Sequence, residues 1–339
     1  MTGHKFEATP NDSPTRGTDA EANANANADA DADVDVDADA NAGSPAATRL
    51  YAILAREART AVIFRRGPTK QVQLIRWDLR TDTFEHGQWL KGRIYERRCD
   101  LSPSGRLLVY FAATNRPPIG SWTAISKPPF LTALALWPKT DSWGGGGIFE
   151  DENTLLLNHA PEHDAHGFEP AAGTRLKPGM QVKPCGPWSG RGEDDPINAV
   201  LRERAGWRDA EIGEGELGGL RATALYRYSK PRVIEKAGAN GRRLQRVLHG
   251  VGVQQKPWYA LDHRVLDREG TVLVSIPESD WADWDGGDLL FARGGCLYRL
   301  SKSRFKAYAD QGDAAFQLLH DFSNARFTPM APTSDALKY

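Results

Sequence analysis

Three histidines in the run His159-Ala-Pro-Glu-His163-Asp-Ala-His166 have the composition of a metal site. The order H-x-x-E-H brings two imidazoles and a carboxylate onto one face of a helix, the arrangement that zinc hydrolysis needs. Pro161 stands between the first two ligands, removes a helical hydrogen bond and biases Ala160 toward extended backbone. The aligning helix is therefore not expected, and no metal ligand is assigned. The glycine run Gly144–Gly147 makes no phosphate cradle either. Such a loop needs G-x-x-x-x-G-K-[ST], whereas Ile148-Phe149-Glu150 follows here, so a flexible loop is expected.

Glu193-Asp194-Asp195, Glu214 and Glu216 would serve as acid and base only from a shielded cleft, and their polar neighbours point to solvent. No G-x-S-x-G places a serine nucleophile. Arg65-Arg66, Arg97-Arg98, Arg202 with Arg204, and Arg242-Arg243 are small basic groups without the density or aromatic interleaving of a nucleic-acid motif. Trp122 and Trp143 are read as caps on the core rather than exposed contacts. No catalytic, cofactor-binding or metal residue is assigned, and no cofactor is expected.

The elements that would position any site are strands. Apolar runs bounded by turn residues recur at Leu50–Leu54, Ala61–Phe64, Val72–Leu79, Leu107–Ala112, Leu131–Trp137, Thr154–Leu157, Val247–Val253, Trp258–Leu266, Thr271–Ile276, Asp288–Ala292 and Leu297–Leu300. Turn chemistry falls between them, at Ser102-Pro-Ser-Gly105, Thr81-Asp82, Asp267 to Gly270, Gly286-Gly287 and Gly294-Gly295. Helical spacing is scarce, with Ile197 to Arg204 the best candidate. The pattern implies an all-β fold of antiparallel meanders.

Two stretches look like copies of one unit: Cys99-Asp-Leu-Ser-Pro-Ser-Gly-Arg-Leu-Leu-Val-Tyr110 and Ala282-Asp-Trp-Asp-Gly-Gly-Asp-Leu-Leu-Phe-Ala292. Each has a strand ending at Asp, a Gly-containing turn and a strand opening on Leu-Leu. This resembles the first hairpin of a blade in WD40-like and TolB-like β-propellers. Leu74-Ile-Arg-Trp-Asp-Leu-Arg-Thr-Asp-Thr-Phe84 resembles the third strand and following turn of a WD40 blade, with Trp77-Asp78 as the signature dipeptide. The resemblance covers about a third of the body, and no Gly-His precedes any blade. It implies a small or irregular propeller of about five or six blades over residues 47–339. The stretch near 160–238 fits no blade. The alternative is a β-sandwich with a large inserted loop.

Charge divides the chain. Residues 1–46 hold ten Asp or Glu against Lys5 and Arg16, a net of −8, and the whole chain is −1, which leaves +7 on the other 293 residues. From Ala20 to Ala42 alanine mostly alternates with Asn or Asp, too little apolar surface to offset the entropy of ordering, so a disordered acidic tail is expected. Met1–Asp12 has no apolar core of a signal peptide, and no run approaches a membrane span. Cys99, Cys185 and Cys296 are odd in number and widely spaced, as free thiols in a reducing compartment. The expectation is a cytoplasmic, non-catalytic binding or scaffold module whose partner is another protein, with a small ligand as second choice and nucleic acid disfavoured. The rivals are an enzyme with its site at the channel mouth and a polyanion binder with one basic face.

Overall fold

Short strands joined by tight turns dominate, and the all-β class follows: strand makes up 46% and helix 9% of the described residues. The computed structural model describes residues 48–67, 70–160, 168–190, 197–218, 224–254 and 256–339. The acidic tail, His163, His166 and Glu193 to Asp195 lie outside the described residues. No helix among the described residues is long and apolar enough to cross a membrane.

Five sheets follow one another along the chain. The first is an antiparallel meander of β1 (Arg49–Leu54), β2 (Thr60–Arg66), β3 (Gln71–Asp78) and β4 (Thr83–Lys91). In the second, β5 (Arg93–Ile94) and β6 (Asp100–Leu101) both pair with β7 (Leu108–Ala113), and β8 (Ser121–Ser126) and β9 (Ala135–Lys139) continue it. The third joins β10 (Gly147–Phe149), β11 (Thr154–Leu157) and β12 (Gln181–Pro184), the last pairing in parallel. Helix α1 (Ala199–Arg204), at the position where helical spacing is best, leads into the fourth. That sheet runs β13 (Trp207–Glu211), β15 (Tyr226–Ala237), β16 (Arg243–Val251), β17 (Tyr259–Leu266) and β18 (Val272–Ile276), with β14 (Glu214–Leu217) also on β15. The fifth is a second meander of β19 (Trp281–Asp285), β20 (Asp288–Arg293), β21 (Cys296–Leu300) and β22 (Gln317–Asp321), with α2 (Phe305–Gln311) before its last strand.

The two look-alike segments of the sequence are the β6–β7 and β19–β20 hairpins. Gly286 and Gly287 both take positive φ, 58° and 101°, the geometry a two-residue turn needs to match the twist of its strands. Trp77 lies on the third strand of its sheet, fully buried, and its indole donates to Asp82 at 3.0 Å.

Apolar clusters link neighbouring sheets. Trp137, Phe149 and Leu155 join the second to the third. Phe64, Leu74, Leu108 and Tyr110 join the first to the second. Ile63, Trp77, Leu290 and Phe322 join the first to the fifth, and Leu244, Val265, Leu289 and Phe291 join the fifth to the fourth. Burying one large side chain in such a cluster contributes about 1.5–3 kcal/mol. An ion-pair network also fastens the first sheet to the fifth: Arg299 donates to Asp82 at 2.8 Å, Asp285 at 2.9 Å and Asp288 at 3.0 Å.

Between the third and fourth sheets no apolar cluster occurs among the described residues. There, Arg204 at the end of α1 meets the buried carboxylate of Asp100 at 2.5 and 2.9 Å and the carbonyl of Phe149 at 3.1 Å. The C-terminal segment crosses the outside of three sheets. Gln88 donates to the carbonyl of Met330 at 3.0 Å, Lys127 pairs with Asp335 at 3.2 Å, and Tyr339 packs on the cluster between the second and third sheets.

Candidate functional site

Strands β16 and β17 place Arg246 directly opposite His263 in antiparallel register, so their side chains leave the same face of the fourth sheet. The alternation Leu244, Arg246, Leu248 on one strand and Leu261, His263, Val265 on the other gives these two polar groups the parity of the apolar residues around them. Leu244 and Val265 belong to the core against the fifth sheet, and that face carries Arg246 and His263 inward with them.

Arg246 stacks on the indole of Trp207, its guanidinium carbon 4.7 Å from the ring centroid. Among the described residues it has no carboxylate partner and makes no hydrogen bond, and its Nε is buried. Burial first, then the charges of Arg97 and Arg202, push it down to about 10, while Tyr51 and Asp283 pull the other way. Arg97, in the turn after β5, lies over the ring of Tyr259 on β17 at 3.3 Å. Tyr51 on β1 is raised above the usual phenol range by burial, against Arg246 and Arg97, so its hydroxyl stays protonated. Side chains from the first, second, fourth and fifth sheets and from α1 thus bear on one cation.

His263 is fully buried. Its Nδ1 sits 2.8 Å from Ser279 Oγ, and that hydroxyl donates to the carbonyl of Ile276 at 2.7 Å. A hydroxyl has one proton, so Ser279 accepts from Nδ1–H, and Nε2 carries the bare lone pair. Among the described residues Nε2 has no hydrogen-bond partner. Burial, then Arg246 and Arg97, hold the imidazole well below its usual range and hence neutral.

Asp280, just before β19, is pushed up to about 7 by burial, against Arg49 and a Leu50 backbone hydrogen bond. From about pH 4 to pH 7 the folded chain keeps a proton that the unfolded chain has released, so stability falls as pH rises through that window. Asp280→Asn should match the parent near pH 4 and exceed it by about 2–4 kcal/mol at pH 8. Urea unfolding at the two pH values reads this, and an unchanged pH slope in the variant would refute it.

The residues singled out in the sequence go elsewhere. His159 is buried with Nε2 2.9 Å from Thr123 Oγ1, and no three His, Cys, Asp or Glu among the described residues gather as a metal set. The glycine run is not a flexible loop, contrary to expectation. Asn158 bonds Gly145 from its backbone and its amide, Gly146 N–H donates to Thr123 Oγ1 at 2.8 Å, and buried Arg98 donates to the carbonyl of Gly144 at 2.6 Å. The amides of Gly145 and Gly146 are thus engaged by the fold. Arg65 is buried on Thr48 and the carbonyls of Phe322 and Ser323, Arg66 pairs with Glu96 at 2.9 Å, and Arg243 pairs with Glu235 at 3.6 Å. Glu214 is exposed on β14, and Trp122 packs on the core between the first and second sheets.

A groove of about 370 Å³ lies elsewhere, beside Glu57, Pro103, Asp151, Glu152, Asn153 and Thr154. Its carboxylates cap loops: Asp151 accepts from Asn153 N–H at 2.7 Å and from the Thr154 hydroxyl at 3.0 Å, and Glu152 accepts from Ser104 N–H. Arg246 and His263 are absent from the groups that motif spacing selects. Their signal is parity, a charged or titratable residue where a strand should be apolar on both sides.

No protein-family profile and no curated protein sequence matches the chain. Among solved structures it is similar to an uncharacterized protein from Listeria monocytogenes EGD-e, at 11% identity and a TM-score of 0.27, over 86% of this chain and 91% of that one. It is also similar to the β-propeller domain of the Trilobed protease from Pyrococcus furiosus, described as having an open velcro topology. That match has 10% identity and a TM-score of 0.25, over 76% of this chain and 82% of that one. Likeness at this level says nothing of function.

Proposed function

We propose that the protein is a non-catalytic binding module that takes a small anion at Arg246, inside a small, irregular five-bladed propeller. The propeller reading is supported by the five successive sheets and by the apolar clusters that link them third, second, first, fifth, fourth. The carrying observation for function is Arg246 itself, a guanidinium stacked on Trp207 and flanked by other arginines, with no counter-charge in contact among the described residues. A desolvated cation in that setting is stabilised by an incoming anion, and its planar fork suits a carboxylate or phosphate.

Two rival readings are weaker. Residues 226–266 carry nine Lys or Arg against Glu235 and Asp262, enough to suggest a polyanion face. Much of that charge is paired, as Arg232 with Asp209, Lys230 with Glu214, Lys236 with Asp283 and Arg243 with Glu235. As a catalyst, His263 would need a proton partner, and the Ser279 hydroxyl beside it is held by the Ile276 carbonyl.

Millimolar phosphate or carboxylate should therefore raise the melting temperature of the full chain, and Arg246→Gln should lose most of that shift while remaining folded. Equal shifts in both proteins would rule out Arg246 as the anion site.

A further inference from the structure

We infer that the anion bound at this site carries its own hydroxyl donor, as an α-hydroxycarboxylate does, with Arg246 holding the carboxylate and His263 Nε2 accepting the hydroxyl. The inference rests on the reading of Arg246 as an anion site and adds the class of ligand. Register places the two side chains opposite each other on one sheet face, with Cβ atoms about 5 Å apart. Arg246 offers only donors, so it selects charge and planar shape. His263 offers the opposite. Its Nδ1–H is fixed on Ser279, whose own proton is fixed on Ile276, so the lone pair on Nε2 is the only polar function it can turn toward a ligand. A buried acceptor left without a donor is destabilising, and a ligand hydroxyl recovers part of that loss. A plain carboxylate would satisfy Arg246 and leave Nε2 bare. The neutral state of the imidazole, set by burial and by Arg246 and Arg97, keeps it an acceptor.

The test compares glycolate with methoxyacetate, which share charge and carboxylate and differ in the hydroxyl proton. Titration of the full chain, followed by calorimetry or amide shifts, should give glycolate about five- to tenfold tighter binding. His263→Asn keeps a donor toward Ser279 and lacks the Nε2 acceptor, so it should bind both anions with equal affinity. If that variant fails to fold, nitrogen NMR of the unmodified protein gives the same answer: the Nε2 resonance should move with glycolate and stay in place with methoxyacetate. Equal binding of the two anions by the unmodified protein would overturn the hydroxyl inference and leave the Arg246 site standing. Binding of neither would overturn the Arg246 reading itself.

Discussion

Arg204→Ala is expected to destabilise the protein by about 3–5 kcal/mol, the usual cost of stripping one partner from a buried ion pair. Asp100 is almost wholly buried, and Arg204 supplies two of its hydrogen bonds, with Phe149 N–H giving a third at 2.8 Å. Burial already raises this carboxyl above its ordinary range, against the pull of Arg204. Without the guanidinium it rises further, so the folded variant holds its proton to higher pH than the unfolded chain. The deficit should therefore be small near pH 4 and widen toward pH 8. Arg204→Met with Asp100→Leu should recover most of the loss, because two apolar groups leave no charge uncompensated. Urea midpoints at two pH values measure all three proteins. A single-variant loss under about 1 kcal/mol would show that α1 is not fastened at this junction.

Gly146→Ala should cost about 2–5 kcal/mol, from two sources. Its φ is +82°, which an L side chain adopts only with strain, and an added Cβ would meet the carbonyl oxygen and Cβ of Arg98. The obstacle is backbone that the buried Arg98 side chain holds in place through the carbonyls of Ser142 and Gly144, so it cannot swing aside. Gly173 supplies the control. It has a similar φ of +87° with nothing near its would-be Cβ, so Gly173→Ala should show the backbone cost alone, about 1–2 kcal/mol. Comparable losses in the two variants would mean that the loop around Gly146 yields after all. Thermal and urea unfolding both read the difference.

Some strands escape sequence rules for reasons that the structure makes plain. Tyr226–Ala237 is a long strand with Pro231 and several cations in it, features that argue against a central strand. It persists because the register slips between Arg227 and Arg232, and the bulge absorbs the proline that a regular ladder would reject. Ser121–Ser126 mixes Ser and Thr with Trp122 and Ile125, yet it is buried between β7 and β9, where both edges are hydrogen-bonded. In the glycine run, composition pointed to freedom, and the opposite holds because Asn158, Thr123 and Arg98 close on it from distant parts of the chain.

What the sequence determined by itself is local. Period-two apolar runs and glycine turns are fixed by backbone sterics within a few residues, so the all-β class and the two look-alike hairpins were legible in it. The division of charge between the first 46 residues and the rest was equally plain. Tertiary structure alone decided the site. Arg246 and His263 are 17 positions apart and become neighbours only through strand register, and Trp207, Arg97 and Tyr51 reach them from other sheets. Whether an arginine is paired or left with its charge uncompensated depends on which carboxylates the packing brings within about 4 Å. Arg243 finds Glu235 and Arg204 finds Asp100, while Arg246 finds an indole. That difference has no trace in spacing along the chain, because it is set by contacts between segments that the sequence keeps far apart.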